Sequence, residues 1–185
     1  ADGVVEVTLL GQNVNSYGRD LRVDGRHRPV FADLLRRVGE VPGIRRVRFT
    51  SPHPKDMRED VARAMAETPA VCEQLHLPLQ SGSARILRAM QRGYTPQRFL
   101  SRLRMVEATV PGLATSTDVI VGFPGETDAD FRATLAVMEE ARFDGAFMFV
   151  YSPRPGTPAA GLDGQGDPAE AAERFARLAD LQRRI

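Results

Sequence analysis

An α/β fold built on a parallel sheet, curved into an open barrel with a polar interior, is predicted by three features of the 185 residues. Five short apolar stretches alternate with helical patterns. Several of those stretches carry a polar residue at every second position. One of them, Ser116-Thr117-Asp118-Val119-Ile120-Val121, stops on the turn Gly122-Phe123-Pro124-Gly125-Glu126 and passes at once into a helix. Repeated strand-helix alternation calls for parallel pairing, because parallel neighbours need a long crossover and a helix is the usual one.

In chain order the strands are expected at residues 4–10, 46–50, 74–79, 115–121 and 146–151. Helices between them are read from the 3.6-residue spacing of Leu34, Leu35 and Val38, of Val61 and Met65, of Ile86 and Met90, of Phe99, Leu103 and Val106, and of Phe131, Leu135 and Met138. Thr95-Pro96 and Asp167-Pro168 each place a capping residue before a first-turn proline, with Glu170 expected to complete the cap behind Asp167. Thr127 and Asp130 form a further capping pair. Gly122 and Gly125 are read as room for a ligand to approach the backbone, and Pro124 as a stiffener of that turn. A last helix runs from Pro168 to the end of the chain, after the glycine-rich linker 161–166.

Fully buried parallel strands are apolar throughout, and these are not. Leu75, Leu77 and Leu79 point one way and Gln74, His76 and Gln80 the other. Glu6 and Thr8 oppose Val5, Val7 and Leu9, Arg48 shares a side with Thr50, and Asp118 opposes Val119 and Val121. With helices over the apolar side, the polar side lines an interior. A closed eight-stranded barrel fills its centre with branched apolar layers, so Glu6, Thr8, Arg48, His76 and Asp118 point to a wider barrel around a polar ligand. An antiparallel sheet with one wet face gives the same alternation, but the helical crossovers argue against it.

Composition sets further bounds. With 42% hydrophobic side chains the chain buries a core of about one domain. Its 25 Lys plus Arg balance 24 Asp plus Glu, so the overall field gives no case for nucleic acid and any RNA contact has to be local. No apolar run reaches membrane-spanning length and no signal sequence opens the chain, which predicts a cytoplasmic protein with no membrane partner. The single cysteine, Cys72, excludes an internal disulfide framework and is expected as a small buried thiol beside a strand. The chain opens without methionine in a sequence already entering a strand, and is expected to be part of a longer protein.

Strand ends in such a barrel gather at one rim, where ligands bind. Four rim segments stand out besides the glycine turn. They are Gly11-Gln12-Asn13-Val14-Asn15-Ser16-Tyr17-Gly18; Thr50-Ser51-Pro52-His53-Pro54; His76-Leu77-Pro78-Leu79-Gln80-Ser81-Gly82-Ser83, with Arg92-Gly93-Tyr94-Thr95 behind it; and Tyr151-Ser152-Pro153-Arg154-Pro155-Gly156-Thr157-Pro158. In this order, with Val119-Ile120-Val121-Gly122-Phe123-Pro124-Gly125-Glu126-Thr127, they resemble the radical S-adenosylmethionine methylthiotransferases over residues 4–160. The Gly11–Tyr17 and His76–Ser83 segments are most similar to the MiaB-type tRNA branch.

The resemblance implies a partial, open TIM-like barrel of the radical-SAM type. Residues 1–160 would hold units two to six, and residues 161–185 a linker and helix leading to an RNA-binding domain. It implies two 4Fe-4S clusters in the full-length protein and none bound by this stretch, whose one cysteine cannot supply three thiolates. It implies S-adenosylmethionine as cofactor, cleaved by one electron to a radical that takes hydrogen from carbon 2 of an adenosine next to a tRNA anticodon, before sulfur and a methyl group are added. The partners implied are the tRNA anticodon stem-loop and an electron donor protein.

By motif position, Gly11, Gln12 and Asn13 meet the methionine moiety, and Gln80 and Ser81 the ribose and carboxylate. Ile120, Gly122 and Glu126 flank the adenine, with Tyr151 closing that side. None is a catalytic acid or base, and none is a metal ligand. Arg154 and His53 are candidate substrate contacts. Arg154 has a planar fork suited to a phosphate or carboxylate, and the alternative for it is a solvated surface charge. His53 and His76 are read as hydrogen-bonding groups, since nothing pairs them at ligand spacing. If the first barrel strand lies outside the chain, residues 4–10 form an open edge and the fragment self-associates. Alternatives are a methylthiotransferase acting on a ribosomal protein, a strand-helix barrel enzyme acting on a phosphorylated metabolite, and a noncatalytic RNA-binding module.

Overall fold

The computed structural model describes residues 3–23, 26–27 and 30–185. In chain order its strands and helices are β1 (Glu6–Leu9), β2 (Arg22–Val23), β3 (Arg26–His27), α1 (Phe31–Gly39), β4 (Arg46–Phe49), α2 (Glu59–Glu67), β5 (Gln74–His76), α3 (Ala84–Ala89), α4 (Pro96–Thr109), β6 (Ala114–Val121), α5 (Asp128–Ala141), β7 (Gly145–Val150) and α6 (Pro168–Arg184). They divide into two compact units, Ala1–Leu77 with Ser101–Thr115, and Pro78–Leu100 with Ser116–Ile185. None of the helices among the described residues is long and apolar enough to cross a membrane.

In the first unit β1 and β4 pair in parallel, Glu6 opposite Arg46 and Leu9 opposite Phe49. α1 packs against β4, and α2 packs on α1. Leu35, Val47, Val61 and Met65 are buried, and the Phe31 and Phe49 rings meet edge-on with centroids 5.3 Å apart. On the polar side the Glu6 carboxylate accepts from Arg46 and, at 3.1 Å, from Arg48. Those bonds, Arg46 first, hold its carboxyl below the usual range. Val71 continues the sheet through a single parallel bridge to Val47. Cys72 is half-buried rather than enclosed, and its N–H donates to Val47 O. The small antiparallel pair β2–β3 was not foreseen, since two residues per strand leave no alternation to detect.

In the second unit β6 runs parallel to β7 from Ser116 opposite Gly145 to Val121 opposite Val150. Thr117, Val119 and Val121 are buried beneath the helices, whereas Asp118 and Ile120 lie half-buried on the other face. Phe131 and Met138 of α5 and Leu178 of α6 are fully enclosed, and α6 packs on α5 and β7.

The third expected strand, 74–79, is a strand only to His76. Pro78 has no N–H to give to a ladder. The Leu79 N–H goes to the Thr117 hydroxyl at 2.9 Å, and pairing resumes as a bridge between Gln80 and Val119. Leu75, Leu77 and Leu79 are nevertheless all fully buried, so the expected alternation holds. The caps of α4 and α5 form as expected. Thr95 accepts from Arg98 N–H, and Thr127 and Asp130 make a reciprocal capping box. At α6 the Asp167 side chain accepts from Ala169 N–H at 2.8 Å, but Glu170 pairs with Arg174 one turn on instead of closing the cap.

Candidate functional site

A cavity of about 710 Å³ opens in the second unit at the C-terminal ends of β6 and β7. Its wall brings together Gln80, Ile120, Tyr151 and Arg154, four of the residues singled out in the sequence, with Asp118 and Phe149 beside them.

Gln80 reaches the wall through a constrained backbone. Its φ is +67°, a region that side chains rarely adopt, and its N–H and C=O are both tied to β6, through Asp118 O and Ile120 N–H. The turn that follows is buttressed from α5. Gly82 N–H donates to the Thr134 hydroxyl at 2.9 Å, and a Cβ at Gly82 would lie 2.5 Å from the Thr134 Cα, so only glycine fits. Ser81 is buried, its Oγ accepting from Ser83 N–H at 3.1 Å, and it stands behind the cavity rather than in its wall. Ser83 caps α3 and donates to Asp130 at 2.6 Å. Burial alone would raise the Asp130 carboxyl, but bonds from Arg85, Ser83 and Thr127 outweigh it and hold the group well below the ordinary carboxylate range.

The glycine turn after β6 has left-handed backbone at Gly122 and Gly125, φ +72° and +74°. The expected room for a ligand there is filled by the chain itself. A Cβ on Gly122 would come within 2.8 Å of the Ala171 Cβ on α6, and Gly125 N–H donates to Gly164 O in the linker at 2.8 Å. Gly122 and Glu126 therefore lie behind the cavity. Glu126 fixes the turn by accepting from Gly122 N–H at 2.8 Å and from Arg174 at 2.9 Å, and Arg174 also donates to the Glu126 carbonyl. Both side chains are almost wholly enclosed, and the Arg174 guanidinium lies 5.8 Å from the Phe131 ring centroid. Burial pushes the Glu126 carboxyl up, with Gly122 and Arg174 opposing it. What does face the cavity is apolar at one end, where Phe123 and Tyr151 meet edge-on at 5.2 Å. The Tyr151 hydroxyl is buried there with no hydrogen-bond partner.

Gly11, Gln12, Asn13 and His53 belong to the first unit. Gly11 and Gln12 are exposed. Asn13 donates to Asp56 at 2.7 Å while its own carbonyl oxygen is buried without a partner. Asn15 and the His53 backbone exchange two bonds, 3.1 and 2.8 Å, and the His53 ring accepts from Lys55 N–H. The loop after β1 is thus tied to the loop after β4. Sequence reading missed that tie, and it also missed Arg174, which sits 48 residues from the glutamate it holds.

Residues 1–138 match the Radical SAM superfamily. The chain belongs to that superfamily. Its relatives include the tRNA-2-methylthio-N(6)-dimethylallyladenosine synthases of Parafrankia sp. (strain EAN1pec), 60% identical over 98% of this chain and 36% of the relative, and of Thermobifida fusca (strain YX), 58% identical over 100% and 37%. That of Mycolicibacterium paratuberculosis (strain ATCC BAA-968 / K-10) is 58% identical over 100% and 36%. The chain thus spans little more than a third of these curated relatives. Among solved structures, methylornithine synthase (PylB) superposes with a TM-score of 0.59 at 15% identity, over 98% of this chain and 49% of that one. The radical SAM enzyme coproporphyrinogen III oxidase (HemN) from Escherichia coli gives 0.55 at 15%, over 96% and 52%. The radical-SAM class of α/β fold expected from the sequence holds: parallel strands lie in open sheets, none closed into a barrel among the described residues.

Radical SAM proteins use S-adenosylmethionine and a 4Fe-4S cluster. The cavity fits the first, offering an apolar end for a base, an unpartnered hydroxyl and a buried carboxamide. The second does not fit the residues present. Among the described residues no group of three or more His, Cys, Asp or Glu is placed to hold a metal, and Cys72 is the chain's one thiol.

Proposed function

We propose that this chain is part of the radical-SAM core of a cytoplasmic tRNA methylthiotransferase, which adds a methylthio group to carbon 2 of a modified adenosine next to the anticodon. The observation that carries the reading is identity of 58 to 60% over essentially the whole chain to three synthases of that name. When bound, S-adenosylmethionine supplies the radical chemistry at carbon 2 and the methyl group of the product. Two 4Fe-4S clusters of the full-length enzyme would take their thiolates from residues other than these, since this stretch has one cysteine, and an electron donor protein would be a partner. Residues 1–160 are units two to six of the barrel, and 161–185 lead on to an RNA-binding domain.

In this reading the chain's own residues bind and orient. Ile120 and the Phe123–Tyr151 pair hold the cofactor's adenine away from water, and the Tyr151 hydroxyl gives its unspent hydrogen bond to the base or ribose. Gln80 meets the ribose and carboxylate, with Ser81 behind it setting the turn. Glu126 and Gly122 act through backbone shape. His53 and Arg154 contact the anticodon stem-loop.

Calorimetric titration of the anaerobic full-length enzyme with S-adenosylmethionine tests the cavity assignment. Tyr151→Phe and Ile120→Ala each weaken binding about three- to tenfold, the size of one hydrogen bond or a few methylenes. Unchanged affinity in both variants would remove this cavity from the cofactor site.

A further inference from the structure

Two of the residues that line the cavity of the second unit are arginines with no carboxylate partner among the described residues. Arg92 and Arg154 both line it. Neither pairs with a carboxylate among the described residues, which is also true of Arg88, Arg98, Arg142 and Arg184 in the same unit, but those four do not line the cavity. The Arg92 Nε is also shielded from solvent and has no hydrogen-bond partner. An arginine Nε–H can only donate, so the group that completes this site is an acceptor. Asp118 is the one carboxylate in the cavity wall.

We infer that Arg92 and Arg154 together grip a phosphate of the bound RNA strand. The inference rests on the tRNA reading above and adds to it the group that is held and a role for Arg92, whose segment the sequence singled out without assigning it one. Three observations favour a phosphate. The chain's charges cancel almost completely, 25 against 24, so its share of RNA affinity has to come from a few local cations and not from a general field. Arg154 is exposed on the segment that follows β7, whereas Arg92 is half-buried with its Nε shielded from solvent. The guanidinium fork matches a phosphate's paired oxygens. The exposed Ser152 hydroxyl, in the same wall, offers a further donor.

Salt-dependent binding of tRNA to the full-length enzyme tests this. Each phosphate contact to a single-stranded segment contributes about 0.7 to the slope of log affinity against log salt. Arg92→Gln and Arg154→Gln each lower that slope by about 0.7, and Arg92→Lys keeps the slope. Arg154 is exposed, so its variant reports even if Arg92→Gln folds poorly. An unchanged slope with weakened S-adenosylmethionine binding would give the pair to the cofactor's carboxylate and overturn the inference, as would variants unchanged in both. Wild-type enzyme that neither binds nor modifies tRNA would remove the tRNA reading itself, and the inference with it.

Discussion

Asp130 gathers the Ser83 hydroxyl, the Thr127 N–H and hydroxyl, and the Arg85 guanidinium, and so joins the Gln80 turn, the glycine turn and the start of α5. Its carboxyl is depressed in the folded state, so its contribution is fully present above the unfolded pKa of about 3.9 and is lost as pH falls from there toward the folded value. Wild type should therefore exceed Asp130→Asn in stability at pH 7, with the gap narrowing at pH 3, measured by isothermal denaturant unfolding. A gap independent of pH would contradict this account of Asp130. Half of the cluster was legible in the sequence, because Thr127 and Asp130 are three residues apart and a capping box needs only that spacing. Ser83 and Arg85 join it from 47 and 45 residues away, a distance that no local pattern encodes. The same limit hid Arg174, whose charge is balanced by Glu126 and whose position depends on how α6 packs.

At the scale of the element, alternation told which face of β4, β5 and β6 is buried but not where pairing stops. With Pro78 in the way, β5 ends three residues before the apolar pattern does, since side-chain burial continues through Leu79 while the ladder needs an N–H. Gly82 shows the reverse case, a glycine whose reason is the backbone of α5 lying against it, visible only once strand and helix are packed. In the first unit β1 pairs with β4 on one side, while Val4, Val5 and Leu10 remain 57%, 42% and 76% exposed. An edge with that much apolar surface recruits further strands. This stretch by itself is accordingly expected to self-associate, with light scattering showing mass rising with concentration and Val5→Lys shifting it toward monomer. A monomer at every concentration, with protected β1 amides, would contradict the open-edge reading.

For the whole molecule, the order of five rim motifs made the superfamily legible, because each motif is the end of a strand and the order of strands is the fold. The cavity's location followed from the same logic: four of the residues singled out, Gln80, Ile120, Tyr151 and Arg154, share one wall. Its support from behind did not follow, since Ala171 and Gly164 approach the glycine turn from a linker and helix that carry no motif. Radical SAM membership fixes the type of chemistry, and the central claim is that its target is an adenosine of tRNA. Mass spectrometry of nucleosides from total tRNA of a strain lacking the full-length gene tests it most directly. The account predicts loss of the 2-methylthio group from the modified adenosine beside the anticodon, restored by the wild-type gene. Unchanged tRNA nucleosides together with an altered ribosomal protein would contradict it.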